Sequence, residues 1–455
     1  RNQMAAAQTR SDLAVEAPYF LRARTELRLS VDDQALWGAA GHFLRLELCP
    51  HAAPSHFARH YGWWDVPLKR LPRGETGAVL DLERGFLEIP GRLRPTRFRA
   101  NCRGLRDEPG YCTLHASLWD ARGAAPRRLD VISSVHVLLL EGPDLPLKQI
   151  NIPVTDRCNL RCRMCPRQNT GNLDEIDIPA DVLEPMMQAA PDLRCVMLQG
   201  LGEPLLYPDL EEVLGRLKKT MTAESKVGLT TNATLLDEDR ASRLLGGGAY
   251  FIYFSVDAAE RETHEYIRAG SNFELVRKNI AGCARMREKL GRTDCGLMMN
   301  MVMQDRNVQE VPAFAELAAE LGVESVTYSY CLGIGPGSLA KFPPGTLEPL
   351  FAAASEVAAR HGLNVGFPPI EPNPVPRCHF MERLVLLADG DVIPCHAMAP
   401  GYSTEEHYHS FGNVRGGDLR EIWESDDCRS FRRRVLAGDF PPECQGCDCS
   451  AYLVP

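Results

Sequence analysis

The stretch Asn151-Ile-Pro-Val-Thr-Asp-Arg-Cys158-Asn-Leu-Arg-Cys162-Arg-Met-Cys165-Pro166 dominates the interpretation of this 455-residue chain. It reads as a short apolar strand followed by three cysteines in the spacing C-x3-C-x2-C. Thiolates are the usual ligands of iron–sulfur clusters, and a cubane cluster takes four of them. Three cysteines therefore leave one iron of such a cluster without a protein ligand. Two other readings stay open on the cysteines alone: part of a zinc site that closes with four ligands, and buried thiols that pack as small apolar groups.

Composition indicates a globular protein of about three domains. The chain is 44% hydrophobic and 24% charged, and its net charge is −9. It has no basic stripe that would neutralise phosphates, so we expect no nucleic-acid partner. No apolar run reaches the roughly 18–20 residues of a membrane span, and the first residues lack the apolar core of a signal peptide. With sixteen cysteines and no export signal, we expect a cytoplasmic protein that uses its thiols for metal.

The hydrophobic periodicity changes twice along the chain. Residues 1–146 alternate apolar and polar positions, which predicts an N-terminal β-sandwich-like domain. Residues 147–340 read as six strands alternating with helices, which predicts a parallel sheet in a partial (β/α)6 barrel. Residues 341–455 lose this alternation and are rich in cysteine. The predicted fold class is therefore α/β, with a β-rich domain before the barrel and a small domain after it.

Polar residues follow the ends of the predicted barrel strands, where α/β proteins bind their ligands. Gly202-Glu203-Pro204 follows the second strand, and Asn232 follows the third. The fourth strand ends at Ser255, with Asp257 two residues later and Arg268 further along. Glycines near the second strand let the backbone approach a neighbour closely, and a carboxylate there suits an ammonium group. We expect these residues to line one site.

Together these motifs resemble the radical S-adenosylmethionine (SAM) superfamily. The resemblance implies that Cys158, Cys162 and Cys165 hold a [4Fe–4S] cluster whose open iron chelates the amino acid end of SAM. The Gly-Glu-Pro segment then holds the SAM amino group, and the serine and arginine hold its ribose and carboxylate. Asn232 is either a SAM contact or a strand-end cap. The cofactor-binding residues predicted in this way are Gly202, Glu203, Pro204, Asn232, Ser255, Asp257 and Arg268.

The tail carries further cysteines in a pattern that resembles the auxiliary-cluster domains called SPASM and twitch. A lone cysteine, a hairpin with Gly390 five residues before Cys395, and a terminal Cys-x2-Cys segment carry the resemblance. It implies one auxiliary [4Fe–4S] cluster with complete protein coordination. A zinc ion on the same cysteines is the alternative, and participation of Cys428 or Cys449 stays open. The predicted ligands are Cys378, Cys395, Cys444 and Cys447.

The resemblance also implies a reaction. A flavodoxin- or ferredoxin-type donor reduces the first cluster, SAM is cleaved to methionine and a 5′-deoxyadenosyl radical, and the radical abstracts hydrogen from a substrate C–H bond. Cys331, at the end of the sixth strand, is a candidate hydrogen-atom donor, and a buried structural thiol is the alternative.

The substrate class stays open between small molecules and peptides. The β-sandwich-like first domain favours a carbohydrate or glycoside-like substrate, with dehydrogenation or epimerisation as the outcome. Peptide-modifying maturases often begin instead with a winged-helix domain, and a maturase is the alternative. A remote third reading is a non-enzymatic iron–sulfur electron-transfer protein, which would form no 5′-deoxyadenosine from SAM.

Overall fold

The computed structural model divides the chain into two compact units, Arg1–Pro146 and Leu147–Pro455. In the first unit it describes the backbone of ten strands. In the second it describes residues 147–447, except 170–175, 224, 332–340, 371–377, 379–382, 401, 403–406, 438 and 445–446. Cys449, a possible cluster ligand, lies outside the described residues. The division of the second unit near residue 340 stays a prediction.

The first unit is built from β-strands, as its alternating pattern predicts. The strands are β1 Leu13–Glu16, β2 Phe20–Leu21, β3 Arg24–Val31, β4 His42–Pro50, β5 Gly62–Pro67, β6 Gly74–Asp81, β7 Phe86–Glu88, β8 Thr96–Arg97, β9 Gly110–Asp120 and β10 Arg127–Leu139. They form two five-stranded sheets, in the orders β1-β3-β6-β7-β8 and β2-β10-β9-β4-β5. All neighbours pair antiparallel except β2 and β10, which are parallel.

The second unit contains the six predicted barrel strands, paired in parallel and in chain order. They are β11 Gln149–Ile152, β12 Cys195–Leu198, β13 Lys226–Thr231, β14 Phe251–Ser255, β15 Gly296–Met303 and β16 Ser325–Tyr330. The helices around them are α1 Ala180–Ala189, α2 Leu210–Thr220, α3 Glu238–Gly247, α4 Arg261–Ile267, α5 Phe273–Lys289, α6 Val311–Glu320 and α7 Leu347–His361. The mixed α/β fold with a parallel sheet is confirmed.

Local sequence signals set the ends of these helices. The Asp237 side chain accepts a hydrogen bond from Arg240 N at 2.7 Å at the start of α3, and Gly248 ends that helix with φ 112°. Asn272 caps α5 in the same way, accepting from Leu275 N at 2.9 Å. A short polar side chain before a helix satisfies a free N–H group, and glycine after it adopts the left-handed conformation at no steric cost.

The tail extends the same sheet at both edges, which the sequence did not indicate. β17 Asn364–Gly366 pairs parallel to β16, so the β–α alternation continues past residue 341 and that part of the prediction was wrong. β18 Arg383–Leu386 pairs parallel to β11, and β19 Val392–Ile393 pairs antiparallel to β18. Strands of two to four residues are too short to show a hydrophobic period. The last helices are α8 Leu419–Glu424 and α9 Asp426–Ala437.

None of the described helices is both long and apolar enough to cross a membrane.

Candidate active site

The cluster loop begins at the end of β11 and is anchored there by Asp177. The Asp177 carboxylate accepts hydrogen bonds from Thr155 Oγ1 at 2.5 Å and from Arg157 Nε and Nη2 at 3.0 and 2.7 Å. Arg157 Nη2 also donates to the carbonyl of Leu206 at 2.8 Å, which ties the loop after β11 to the loop after β12. A bidentate arginine–carboxylate pair fixes both position and orientation. The sequence did not single out Asp177, because its partners lie about a loop's length away.

The middle of the cluster loop pairs with the backbone on either side of Arg268. Arg161 N donates to Ala269 O at 2.9 Å, and Arg163 N donates to Ile267 O at 2.8 Å. This two-point pairing holds the Arg268 side chain against the second cysteine, with Nη1 4.0 Å from Cys162 Sγ. The loop and the predicted SAM-carboxylate residue are therefore brought together by main-chain hydrogen bonds.

The three loop cysteines lie close enough to affect one another's charge. Burial raises the pKa of the Cys162 thiol to about 11, Arg268 opposes the rise, and the other two cysteines add to it. Burial likewise raises the pKa values of Cys158 and Cys165. A cation and bound iron stabilise thiolates, because coordinating thiols lose their protons.

The Gly-Glu-Pro segment after β12 packs against the backbone of the cluster loop. A Cβ on Gly202 would lie 1.9 Å from Thr155 O and 2.9 Å from Arg157 O, so only glycine permits this approach of two loops. Glu203 N donates to Arg157 O at 2.8 Å across the same contact. Pro204 begins a short 3₁₀-helix, where its missing N–H has no cost. Gly202 therefore allows the loop after β12 to approach the cluster loop closely.

The Glu203 carboxylate is buried and accepts three hydrogen bonds from protein. Oε1 accepts from Thr231 Oγ1 at 2.6 Å and from Leu205 N at 3.1 Å, and Oε2 accepts from Asn232 N at 2.7 Å. Burial raises the pKa of Glu203, and these donors oppose the rise. Oε2 keeps one further acceptor position, since a carboxylate has about four lone-pair sites.

Asn232 acts as a strand-end cap in this structure. Its Oδ1 accepts from Thr234 N at 3.0 Å and Thr234 Oγ1 at 2.6 Å, and its Nδ2 donates to Asn159 Oδ1 at 3.0 Å. The turn passes through Ala233 in the left-handed region, φ 59°. Buried Asn279 on α5 supports that strained residue by donating to its carbonyl at 2.8 Å.

Beyond β14, a buried ion pair joins Asp257 to Arg268, the residue that contacts Cys162 of the cluster loop. Asp257 Oδ2 lies 2.7 Å from Arg268 Nε, with side chains 0% and 10% exposed. The Asp257 charge raises the pKa of Arg268 and opposes the effect of burial on it. Asp257 Oδ1 accepts from Val302 N at 2.9 Å, and buried Asn307, which the sequence did not reveal, donates to Asp257 O at 2.7 Å.

The C-terminal halves of five strands present uncharged polar side chains on one face of the sheet. Ser255 is in register with Asn300, and Asn300 with Thr327. Thr327 and Ser329 donate to Asn300 Oδ1 at 3.0 and 3.1 Å. Thr230 donates to Gln199 Oε1 at 3.1 Å on the neighbouring strands. The half-buried members of this polar row are Gln199, Thr230, Ser255, Asn300, Thr327 and Ser329.

Cys331 follows β16 at the same end of the sheet and is half-buried. Burial raises the pKa of its thiol to about 11, and the negative charge of Asp257 adds to the rise. At neutral pH the sulfur therefore keeps its hydrogen.

The four tail cysteines predicted as ligands form a second electrostatic group. Cys395 is buried, and burial raises its pKa, with Cys378 and Cys447 adding to the effect. Burial raises the pKa of Cys444, and the other three thiols contribute. Among the described side chains no three Cys, His, Asp or Glu residues converge as around a single metal ion, although these charges interact. Cys428 lies apart, buried in α9, where Arg432 Nη1 contacts its sulfur at 2.9 Å.

Two family models match the second unit. The radical SAM superfamily model matches residues 152–318, from β11 into α6. The iron–sulfur cluster-binding SPASM model matches residues 378–448. The chain contains a radical SAM domain and a SPASM domain. Both domains predicted from the cysteine patterns are confirmed, and they imply SAM and two iron–sulfur clusters as cofactors.

The chain is similar to two curated proteins over most of their length. It is 28% identical over 320 residues to the tungsten-containing aldehyde ferredoxin oxidoreductase cofactor-modifying protein of Pyrococcus furiosus. The aligned region covers 66% of this chain and 87% of that protein. It is 27% identical over 333 residues to the AdoMet-dependent heme synthase of Methanosarcina barkeri. That aligned region covers 66% of this chain and 90% of that protein.

Solved structures of low sequence identity are also similar to this chain. Streptococcus suis SuiB bound to precursor peptide SuiA has a TM-score of 0.49 and 17% identity, covering 63% of this chain and 66% of that chain. The structure of anSMEcpe with bound AdoMet and Cp18Cys peptide has a TM-score of 0.48 and 20% identity, and the similarity covers 67% of this chain and 87% of that chain.

Proposed function

We propose that this radical SAM enzyme abstracts a hydrogen atom from a polar, uncharged substrate of the carbohydrate or glycoside class. The observation that carries the proposal is the polar row at the C-terminal ends of the strands, whose members other than Ser255 offer hydroxyl and amide groups to a substrate. Amide and hydroxyl groups match the hydroxyls of a sugar, whereas an anionic substrate would call for a cation there.

The cofactor site fits the residues that the motifs select. Cys158, Cys162 and Cys165 would hold the first cluster, because three thiols come from one loop and a buried guanidinium lies beside them. Arg268 would hold the SAM carboxylate, with Asp257 fixing the guanidinium from the far side. When bound, SAM and a reduced cluster supply a carbon radical that abstracts hydrogen.

The proposal assigns the other contacts to SAM to Ser255 and to the Gly-Glu-Pro segment. Ser255 has a half-buried hydroxyl with no side-chain hydrogen bond among the described residues, and it would hold the ribose. Glu203 has one acceptor position left on Oε2, which would meet the SAM amino group together with the backbone near Gly202 and Pro204. Asn232 and Glu203 also tie the β12 and β13 loops together, so their substitution would disturb the whole site.

The second site would hold the auxiliary cluster on Cys378, Cys395, Cys444 and Cys447. Four thiols from three segments interact electrostatically, and four thiolates complete a cubane. The cluster would then take part in electron transfer rather than substrate ligation.

Two outcomes of hydrogen abstraction remain to be separated. In dehydrogenation the substrate loses a second electron and a proton. In epimerisation Cys331 gives a hydrogen atom to the substrate radical, and one electron and one proton then restore the thiol. The raised pKa of Cys331 keeps that hydrogen on the sulfur at neutral pH.

A second candidate function is modification of a cofactor. One curated relative is named as a cofactor-modifying protein and the other as a heme synthase. The similarity covers 87% and 90% of their respective lengths. Both are more than 70% different in sequence from this chain, so their substrates transfer only as a candidate class. Peptide modification is a third class that the same test covers.

The test is to weigh the product formed in heavy water. The reconstituted enzyme is incubated anaerobically with a reductant, SAM and panels of glycosides, tetrapyrroles and peptides, and each product is returned to ordinary water. A glycoside that loses two mass units supports dehydrogenation, and one that gains a single unit supports epimerisation. Turnover of a tetrapyrrole or peptide, with none of any glycoside, would overturn the substrate assignment. If Cys331→Ala keeps the single-unit gain, Cys331 is not the donor.

A further inference from the structure

We propose that Arg161, Arg163, Tyr266 and Arg306 form the docking surface for an acidic one-electron donor protein. The inference rests on the proposed function, because only an enzyme that cleaves SAM reductively requires such a donor. All four side chains are exposed, and Tyr266 is 44% exposed, one of the large apolar side chains left at the surface.

The surface is ordered by contacts among its own members. The Arg306 guanidinium lies 3.8 Å from the centre of the Tyr266 ring, and that of Arg163 lies 4.3 Å from it. Arg163 Nε also donates to Tyr266 O at 3.0 Å. Cation–π contacts and this hydrogen bond hold two long side chains in place before a partner arrives, so binding loses less side-chain entropy. Tyrosine and arginine are the residues that most often dominate binding energy in protein interfaces.

The surface is continuous with the loop that carries Cys158, Cys162 and Cys165. Arg163 stands between Cys162 and Cys165, and its N–H bonds the carbonyl of Ile267 at 2.8 Å. Arg161 is joined to Ala269 by the matching hydrogen bond at 2.9 Å. A protein bound here would therefore contact the loop that carries the proposed cluster ligands.

The charge of the surface is opposite to that of the chain. The protein has a net charge of −9, and its exposed arginines are commonly paired, as Arg285 is with Glu238 and Arg360 with Glu316. The three arginines of the docking surface form no ion pair within the described residues. Exposed arginines without an ion-pair partner among the described residues attract an acidic partner to this face of an acidic protein.

We expect the partner to be a redox protein that binds transiently. Electron-transfer complexes have small interfaces, below about 1,200 Å², and rely on charge for rapid encounter. A nucleic acid would need a longer basic stripe, with several phosphate contacts. An acidic flavodoxin is thus the probe of choice.

The experiment compares two double variants that each remove two positive charges. The test variant is Arg161→Gln with Arg306→Gln, and the control is Arg285→Gln with Arg360→Gln. Both leave every proposed cluster ligand unchanged. The full chain, reconstituted with iron and sulfide, is mixed anaerobically with reduced flavodoxin, and the second-order rate of cluster reduction is followed by visible absorbance. The same rate is measured with reduced methyl viologen, a small cation.

The proposal predicts a selective and salt-dependent effect. At low ionic strength the test variant should be reduced by flavodoxin about tenfold more slowly than the control variant. The difference should disappear near 1 M salt, where the Debye length falls to about 3 Å. Reduction by methyl viologen should not slow, because a cation gains nothing from arginines. Equal flavodoxin rates for the two variants at low salt, or equal slowing with both reductants, would overturn the docking surface. Failure of viologen-reduced wild-type enzyme to cleave SAM would instead overturn the proposed function.

Discussion

Asn151 Nδ2 lies 2.9 Å from His396 Nε2, across 245 residues of sequence. Asn151 is on β11, the strand that leads into the first cysteine loop, and His396 directly follows Cys395 of the second cysteine group. Burial lowers the pKa of His396 to about 4, and Arg383 adds to the effect, so the imidazole is neutral and accepts the amide hydrogen. A single hydrogen bond therefore links the two cysteine-bearing segments, in addition to the pairing of β11 with β18.

Replacing Asn151 with leucine should destabilise the protein. The change leaves the His396 ring nitrogen without its donor, and an unsatisfied buried polar group costs about 1–3 kcal/mol. The free energy of unfolding in urea is the measurement. Asn151→Leu also removes the bond that Asn151 Oδ1 accepts from Gln149 Nε2 at 3.3 Å, and Gln149→Leu is the control that removes this bond alone. Equal stability of the Asn151 and Gln149 variants would show that the link has no structural weight.

Adding one methyl group at Gly202 should disrupt the cluster loop. The new Cβ would meet Thr155 O at 1.9 Å, and backbone atoms on both sides would have to move, at about 1–3 kcal/mol or more. Gly215 in α2 has no neighbour within 4 Å of such a methyl group, so Gly215→Ala should be neutral or stabilising by up to about 1 kcal/mol. Iron content and the urea midpoint report both changes. A fully loaded and stable Gly202→Ala protein would contradict the described loop contact.

Removing the guanidinium of Arg268 should be far more costly than removing an exposed one. Arg268→Gln leaves Asp257 buried without its counter-ion, and breaking such a pair costs about 3–5 kcal/mol. Arg285→Gln breaks an exposed pair with Glu238, worth about 0–1 kcal/mol. The free energy of unfolding of each variant and of the wild type, measured in urea at neutral pH, gives the two losses. Similar losses for both variants would mean that the Asp257 charge is solvated or neutral in the fold.

His264 should make the fold less stable as the pH falls. Burial lowers its pKa from 6.5 to about 3, with Arg268 adding to the effect, so only the unfolded chain takes up a proton just below 6.5. Stability is therefore lost as pH decreases through 6.5, and a single group of this kind removes about 1 kcal/mol between pH 7 and 5.5. Urea unfolding of wild type and His264→Phe at the two pH values gives the difference. An identical pH dependence in the variant would reject this assignment.

The sequence predicted the parts of the site that are local in the chain. The spacing of Cys158, Cys162 and Cys165, and the Gly-Glu-Pro segment, carry their chemistry within a few residues, and the six barrel strands show clear apolar runs. The family matches confirm the two domains that the cysteine patterns predict.

The parts that were missed depend on contacts between distant segments. Asp177 and Asn307 are single polar residues whose partners lie on other loops, and β18 is too short to show a period. The structural use of Glu203 as an acceptor for three protein donors could not be read from a Gly-Glu-Pro turn, since the donors come from its own loop and from β13. Long-range pairing is fixed by tertiary packing, which leaves no local signal.

Formation of 5′-deoxyadenosine tests the central claim most directly. The reconstituted full chain is reduced with methyl viologen in the presence of SAM, and the nucleoside is quantified by chromatography beside the Cys162→Ala variant. The account predicts 5′-deoxyadenosine from the wild type and none from the variant, which should keep about four of about eight irons in its auxiliary site. Absence of the nucleoside from a fully loaded wild type, or equal amounts from both proteins, would contradict it.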